Sequence, residues 1–349
     1  MTNGVSSGFL ARVALTLTVY IGSVRLLRLY IVRKHLRALK VVPPEKRDTE
    51  WAHQGLSFFS NKDLPFLCQI ALEFALFRTY GVEANRLLIA TGEMVHRCPR
   101  RYDDTELLIR EFTENVLDTD RAVLALKRMN HLHGKYTIDN TDFVYTLALF
   151  ITQPATWVGK YGWRELDEVE KEATYRYWTQ IGIKMGLKHM PHSYNEMERL
   201  VEEYETKYMH PQPRNVVLAN ATFKLFLNRY PRFLQPVIRP ALHSLCDRRL
   251  RIAMGFPEPN TIYKSFVRGM AKLHGIFVGW LMPPRIRGSR RTPLAMREGW
   301  YFPQWDLNGT GVYKDGYKIE DLGPEKYVGD SGLGAICVEN KESYGWPDL

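Results

Sequence analysis

Cysteine is scarce in this sequence. The four present in 349 residues, Cys68, Cys98, Cys246 and Cys337, are widely spaced and form no CxxC pair. That excludes a disulfide scaffold and fits a reducing compartment. No CxxCH occurs, so covalent c-type haem attachment is not expected. Cys98 stands in VHRCPRRY, which lacks the Gly-flanked loop of a cysteine-ligated haem enzyme. GxGxxG, the P-loop, the serine-hydrolase elbow and HExxH are all missing. So are zinc-finger spacing, an aromatic RNA-binding signature and a long basic arm. The net charge of +10 therefore points to an anionic membrane surface ahead of nucleic acid.

What the chain does have is apolar and aromatic material. Hydrophobic residues make up 45%, enough to bury a sizeable core, and 19 Tyr and 8 Trp suit pockets and membrane interfaces. Phe9 to Val32 reads FLARVALTLTVYIGSVRLLRLYIV, with an uninterrupted apolar core from Val13 to Val24. That core alone has the length of a signal-peptide core or an interfacial helix. Three features favour an anchor. Arg12 and Arg25 stand where they can snorkel to headgroups. No small-residue cleavage site follows. Tyr20 and Tyr30 can supply interfacial rings. Arg25, Arg28, Arg33, Lys34, Arg37 and Lys40 follow the core, and no basic residue precedes Arg12. The positive-inside rule places the body in the cytosol. An amphipathic helix lying on the surface is the alternative.

Beyond a polar connector, Lys40 to Lys62, the apolar spacing becomes helical. Leu64 to Phe77 is dense enough for a buried helix ending at FRTYG. Further helices are expected over Asp103–Val116, Asp120–His133, Asp142–Thr152 and Asp167–Leu187. Others follow from a Ser193–Glu196 capping box to about Met209, over Pro213–Tyr230 and over Leu234–Met254. Ile262 to Met282 is basic at its start and apolar at its end. It reads either as a surface-lying helix or as a core-packed one. The tail from Thr292 is rich in Gly, Tyr, Trp and Pro and is expected to wrap over the helical domain. Strand alternation is scarce, so the fold class is all-α with about eight to ten helices. The chain divides into 1–40, an anchor with a basic flank, 41–260, a helical catalytic domain, and 261–349, an interfacial helix and irregular tail.

The stretch Arg121–Phe150 carries the chemistry-bearing pair His131 and His133. Two residues apart on a helix, they point about 200° apart and cannot share one metal. His133 shares the inward face with Val123, Leu126 and Met129, while His131 falls nearer the basic side with Lys127 and Arg128. From spacing alone His133 is either a hydrogen-bonded core residue or an iron ligand. Arg101, Asp104 and Thr105 stand at a helix entry. Arg101 can pair with an external carboxylate or with Asp104. Arg164, after Trp163, reads as a structural ion-pair former. His189 and His192 are spaced as weak metal ligands without an evident third.

The series FALFRTYG (74–81), RRYDDT (100–105), LHGKY (132–136), FVYTLALF (143–150), WRELDEVE (163–170) and EYETKYM (203–209), with GYKIEDLGPEKY (316–327) in the tail, resembles the fungal ER-bound oxygenases typified by MpaB of mycophenolic acid biosynthesis. More distantly it is similar to the catalytic domain of the latex-clearing rubber oxygenases. The resemblance implies a globin-like helical core holding haem b, an amino-terminal membrane anchor at the endoplasmic reticulum, and oxidative cleavage of a C=C bond in a prenyl or lipid-like chain with dioxygen. It implies His133 as the iron ligand. It implies Arg101 and Thr105 as distal, cofactor-facing residues and Arg101, Thr105 and Asp104 as the catalytic set, with Asp104 where those bacterial enzymes carry Lys. Glu83 and Glu93 lie near the place of a bacterial base without a convincing match. Haem-dependent oxidation without chain cleavage, and a non-catalytic helical membrane protein, are the alternatives. Nucleic acid is not an expected partner.

Overall fold

The computed structural model describes residues 3–330 and 332–336. Cys337 and the end of the 261–349 segment lie outside the described residues. Among those residues the fold is all-α. Two isolated β-bridges, Arg297–Trp300 and Tyr301–Tyr317, are the exceptions to helix and loop.

Helix α1 (Asn3–Val41) runs for 39 residues, about 58 Å at helical rise, roughly twice a bilayer core. Its stretch from Gly8 is long and apolar enough to cross a membrane. The helix divides along its length. Phe9, Leu10, Leu15, Leu17 and Val19 are exposed, while Val24, Arg28, Val32 and Leu39 are buried against the body.

The body forms around α8 (Asn140–Tyr161), which is buried along most of its length from Val144 to Val158. Asp139 caps it by accepting from Thr141 N–H. Pro154 is expected to stop such a helix, yet α8 continues for two more turns. Burial of Trp157, Val158 and Tyr161 offsets the backbone bond that Pro154 cannot donate. Around α8 pack α3 (Pro65–Arg78), α9 (Glu168–Lys184), α10 (Tyr194–Tyr208) and α14 (Thr261–Trp280). The ring is completed by α2 (Thr49–Ser57) against α9, and by α6 (Cys98–Thr113) against α7 (Asp120–His133). Short α4 (Asn85–Thr91) and α5 (Glu93–His96) rest on α11 (Pro213–Leu227). The expected helix over 234–254 is two, α12 (Gln235–Leu245) and α13 (Arg248–Ala253). Cys246 turns extended there and Asp247 caps the second. With these short pieces the chain has fourteen α-helices among the described residues, more than the periodicity shows.

At the start of α10 the Ser193 hydroxyl accepts from Glu196 N–H, but the Glu196 carboxylate accepts from His192 N–H. The expected reciprocal box is thus half present.

The tail wraps the body as expected, and it does so through α6. Asp103, Asp104, Glu106, Glu111 and Glu114 of that helix are all buried. Arg291 pairs with Asp103 and Glu106, the Thr292 hydroxyl donates to Glu114, Tyr313 to Asp104 and Tyr317 to Glu111. The strap then reaches α7, where buried Arg128 donates to the carbonyls of Leu322, Tyr327 and Asp330.

Candidate active site

A cavity of about 860 Å³ lies between α3, α4, α6, α7, α8 and the end of α9. Its size is that of a cofactor or ligand pocket. The walls are mainly apolar, including Leu76, Leu88, Met94, Leu108, Ile109, Phe112, Met129, Leu147, Phe150 and Ile181. Trp178 closes one side, stacked on Phe150 at 4.7 Å and edge-on to Phe112.

His133 is the last residue of α7 and faces this cavity. His131 does not. Its Nε2 lies 3.1 Å from Asp330 of the tail strap. Helical geometry separates the two histidines as their spacing requires. The His133 ring packs against Phe143, with centroids 5.0 Å apart and planes tilted by 55°. Its Nδ1 is buried and has no hydrogen-bond partner among the described residues. Burial, with a smaller share from the Arg101 charge, lowers its pKa to about 4. The imidazole is therefore neutral near pH 7, with a lone pair available to a metal. A ring nitrogen held by a second hydrogen bond is the usual form for a ligating histidine. Here Phe143 packing sets the ring instead.

Arg101 and Thr105 lie one turn apart on α6 and both line the cavity. Arg101 donates one N–H to Asp104, at 3.1 Å, leaving further donors of a five-donor group. The Thr105 hydroxyl donates to the Arg101 carbonyl at 2.8 Å, within its own helix. Its proton is thus engaged, which makes Arg101 the stronger cavity donor.

Asp104, expected as a catalytic residue beside Arg101 and Thr105, is fully buried, does not line the cavity, and faces the tail. There it takes Tyr313 O–H, Arg101 and the Gly323 N–H. Burial raises its pKa to about 6, and Arg101 and Tyr313 limit the rise. It positions Arg101 and anchors the strap.

The cavity also holds groups that the spacing singles out weakly or not at all. Glu83 and Glu93 both line it. Glu83 is committed to Gln212, Arg86 and Arg214. Glu93 keeps Oε2 buried without a partner among the described residues. Arg86 is the second cation of the wall. No periodicity marks them, because α4 and α5 are too short to show any.

Other candidates fall elsewhere. Arg164 bonds Glu170 and Asp63 as a structural ion pair. His189 has a left-handed backbone, φ 55°, and no group of three metal-ligating side chains occurs among the described residues. Cys98 is buried with its thiol pushed up to about 11, so it offers no thiolate.

Residues 94–285 match the family described as ER-bound oxygenase mpaB/B'/Rubber oxygenase, catalytic domain. That range contains Arg101, Asp104, Thr105 and His133. The chain is 27% identical over 320 residues to the ER-bound oxygenase mpaB' of Penicillium brevicompactum, covering 76% of each. It is 34% identical over 232 residues to the ER-bound oxygenase mpaB of Penicillium roqueforti (strain FM164), covering 61% of this chain and 78% of that one. By the extent of the family match and the identity to these relatives, the chain belongs to the oxygenase family of mpaB, mpaB' and the rubber oxygenase catalytic domain.

Proposed function

We propose that this chain is a haem b oxygenase, anchored in the endoplasmic reticulum membrane with its body in the cytosol. It cleaves a C=C bond in a prenyl or other lipid-like chain of a secondary metabolite. In that reaction one dioxygen supplies both new carbonyl oxygens and the double bond is consumed. The observation that carries the reading is His133, a neutral imidazole on the wall of a large apolar cavity with an orphaned ring nitrogen. The relatives' names, ER-bound and oxygenase, support the class and the location.

The donor set fits the group. His133 would ligate the iron, and Arg86 and Arg101 are wall cations suited to its carboxylates. When bound, the haem supplies dioxygen activation. The chain's own residues do the rest. Burial holds His133 deprotonated at pH 7. Arg101 N–H groups offer hydrogen bonds to a polar oxygen in the cavity. The leucines, Met94, Phe112 and Phe150 exclude water and align an apolar chain. Glu93 Oε2 is placed to accept a proton.

Purified, detergent-solubilised protein should show a Soret band and bound iron. His133→Ala should lose both, while His131→Ala keeps them. A colourless, iron-free wild-type protein with normal helical content sinks the haem reading. Product mass decides the chemistry: cleavage shortens the chain, and loss of hydrogens alone means a dehydrogenase.

A further inference from the structure

Helix α14 carries an unbroken apolar stripe that nothing among the described residues covers. Ile262, Phe266, Met270, Leu273, Phe277 and Trp280 recur every three or four residues and are all exposed, Ile262 by 82% and Phe266 by 63%. The opposite side is held by glycines. A Cβ at Gly279 would lie 2.6 Å from Trp163 Cβ, and one at Gly275 would collide with the Tyr161 carbonyl oxygen. The helix is thus seated tightly on the end of α8 while its apolar stripe faces outward.

The stripe is continuous with the anchor. Tyr20 O–H of α1 donates to the Leu281 carbonyl at 2.8 Å, and Arg28 donates to the Met282 carbonyl. Arg25 is sandwiched between Trp163 and Trp280, 4.9 and 4.8 Å from their ring centroids. These contacts fall where α1 passes from exposed to buried, which is where it would leave a bilayer. On the far side of α14, Phe233 and Val237 extend the apolar surface and are 78% and 55% exposed. Charge supports the same occupant. No Asp or Glu occurs from Thr261 to Arg297 or from Asn228 to Cys246. Arg232, Arg268, Lys272 and Arg287 stand exposed around the stripe. Apolar side chains rimmed by cations, with a Trp at the boundary, suit an interfacial helix on anionic lipid.

We infer that α14, with the start of α12, is a second membrane contact that lays the catalytic body on an anionic bilayer beside the α1 anchor. The inference rests on α1 being inserted, and it is independent of the haem chemistry. The test uses the full chain with Cys337→Ser, carrying single fluorophore-labelled cysteines at Phe266, Leu273 or Phe277. It is reconstituted in phosphatidylcholine–phosphatidylserine vesicles containing a lipid-borne quencher. Leu17 in the anchor and exposed Glu198 serve as reference positions. Labels on α14 should be quenched by the lipid and shielded from iodide, as at Leu17 and unlike Glu198. The shielding should weaken in purely zwitterionic vesicles. If the α14 labels behave like Glu198 while Leu17 is quenched, α1 is the sole attachment and the inference falls. If Leu17 is unquenched as well, the anchor reading falls with it. Shielding of α14 without vesicles would mean that protein covers the stripe, and overturns the inference too.

Discussion

Arg101 divides its guanidinium between Asp104, 3.1 Å away on its own helix, and the cavity that His133 faces. Removing Asp104 and removing His133 should therefore cause opposite losses. Asp104→Ala leaves Tyr313 and Arg101 unpaired in a buried place, which should cost about 2 kcal/mol of stability. The haem bound per folded molecule should change little. His133→Ala should do the reverse, abolishing haem binding while the melting temperature of the cofactor-free protein stays near wild type. Calorimetry and the Soret absorbance of the same preparations separate the two. Glu93→Gln keeps the shape of the side chain and removes its charge. It should leave the Soret band intact and lower kcat by about 10²-fold if Oε2 handles a proton. Unchanged turnover would exclude that role. The inward placement of His133 was legible because a helix end and an apolar face are local properties. The role of Asp104 was not, because Tyr313 lies 209 positions away and no spacing announces it.

Helix α6 has no ordinary solvent face. One side gives Arg101, Thr105, Leu108, Ile109 and Phe112 to the cavity, and the other gives its buried acids to the tail. From the sequence alone Asp104 reads as a helix-entry residue, since a buried carboxylate is revealed only by its partner. The segments that carry the resemblance behave similarly. Arg78, Tyr145 and Glu205, from three of them, meet in one buried ion-paired network, with Tyr145 O–H 3.0 Å from Glu205. They hold the helices that hold the cavity. The bounds of α7 follow its periodicity closely because Thr119 caps it and Gly134 ends it. Those of α8 and α12 do not, because burial carries one past a proline and an extended Cys246 ends the other. The strap itself can be tested at Arg128, whose three carbonyl acceptors all lie in the tail. Arg128→Met should cost about 3 kcal/mol and expose the 300–330 region to limited proteolysis, with α1–α5 cleavage unchanged.

At the scale of the molecule, buried histidines and acids set opposing pH responses. His133 and His243 have folded pKa values lowered to about 4, chiefly by burial, against 6.5 unfolded. Between those values the unfolded chain binds more protons, so stability falls as pH falls. Asp104 is raised to about 6 from 3.8, so its contribution has the other sign below pH 6. Two imidazoles outweigh one carboxyl, so the melting temperature should drop as pH goes from 7 through 5. In Asp104→Asn the drop below pH 6 should be steeper, which a thermal-shift series would show. Geometry adds a second constraint. The cavity touches α8 no further along than Phe150, whereas α14 is seated at Tyr161, about 16 Å away along the helix. On the proposed function and membrane contact, a lipid-like substrate would have to leave the bilayer to reach His133.

The tail strap also orders events in time. Arg291 reaches Asp103 across 188 positions, and Arg128 reaches Tyr327 across 199. A chain made from its amino terminus completes α1, the proposed anchor, long before those partners exist. Until they emerge, Asp103 lacks its ion-pair partner Arg291, while Asp104, Glu106, Glu111 and Glu114 already have Arg101, Arg110 and Arg121. If α1 is the proposed anchor, tethering precedes closure, and the 291–330 strap acts as a late latch over α6 and α7.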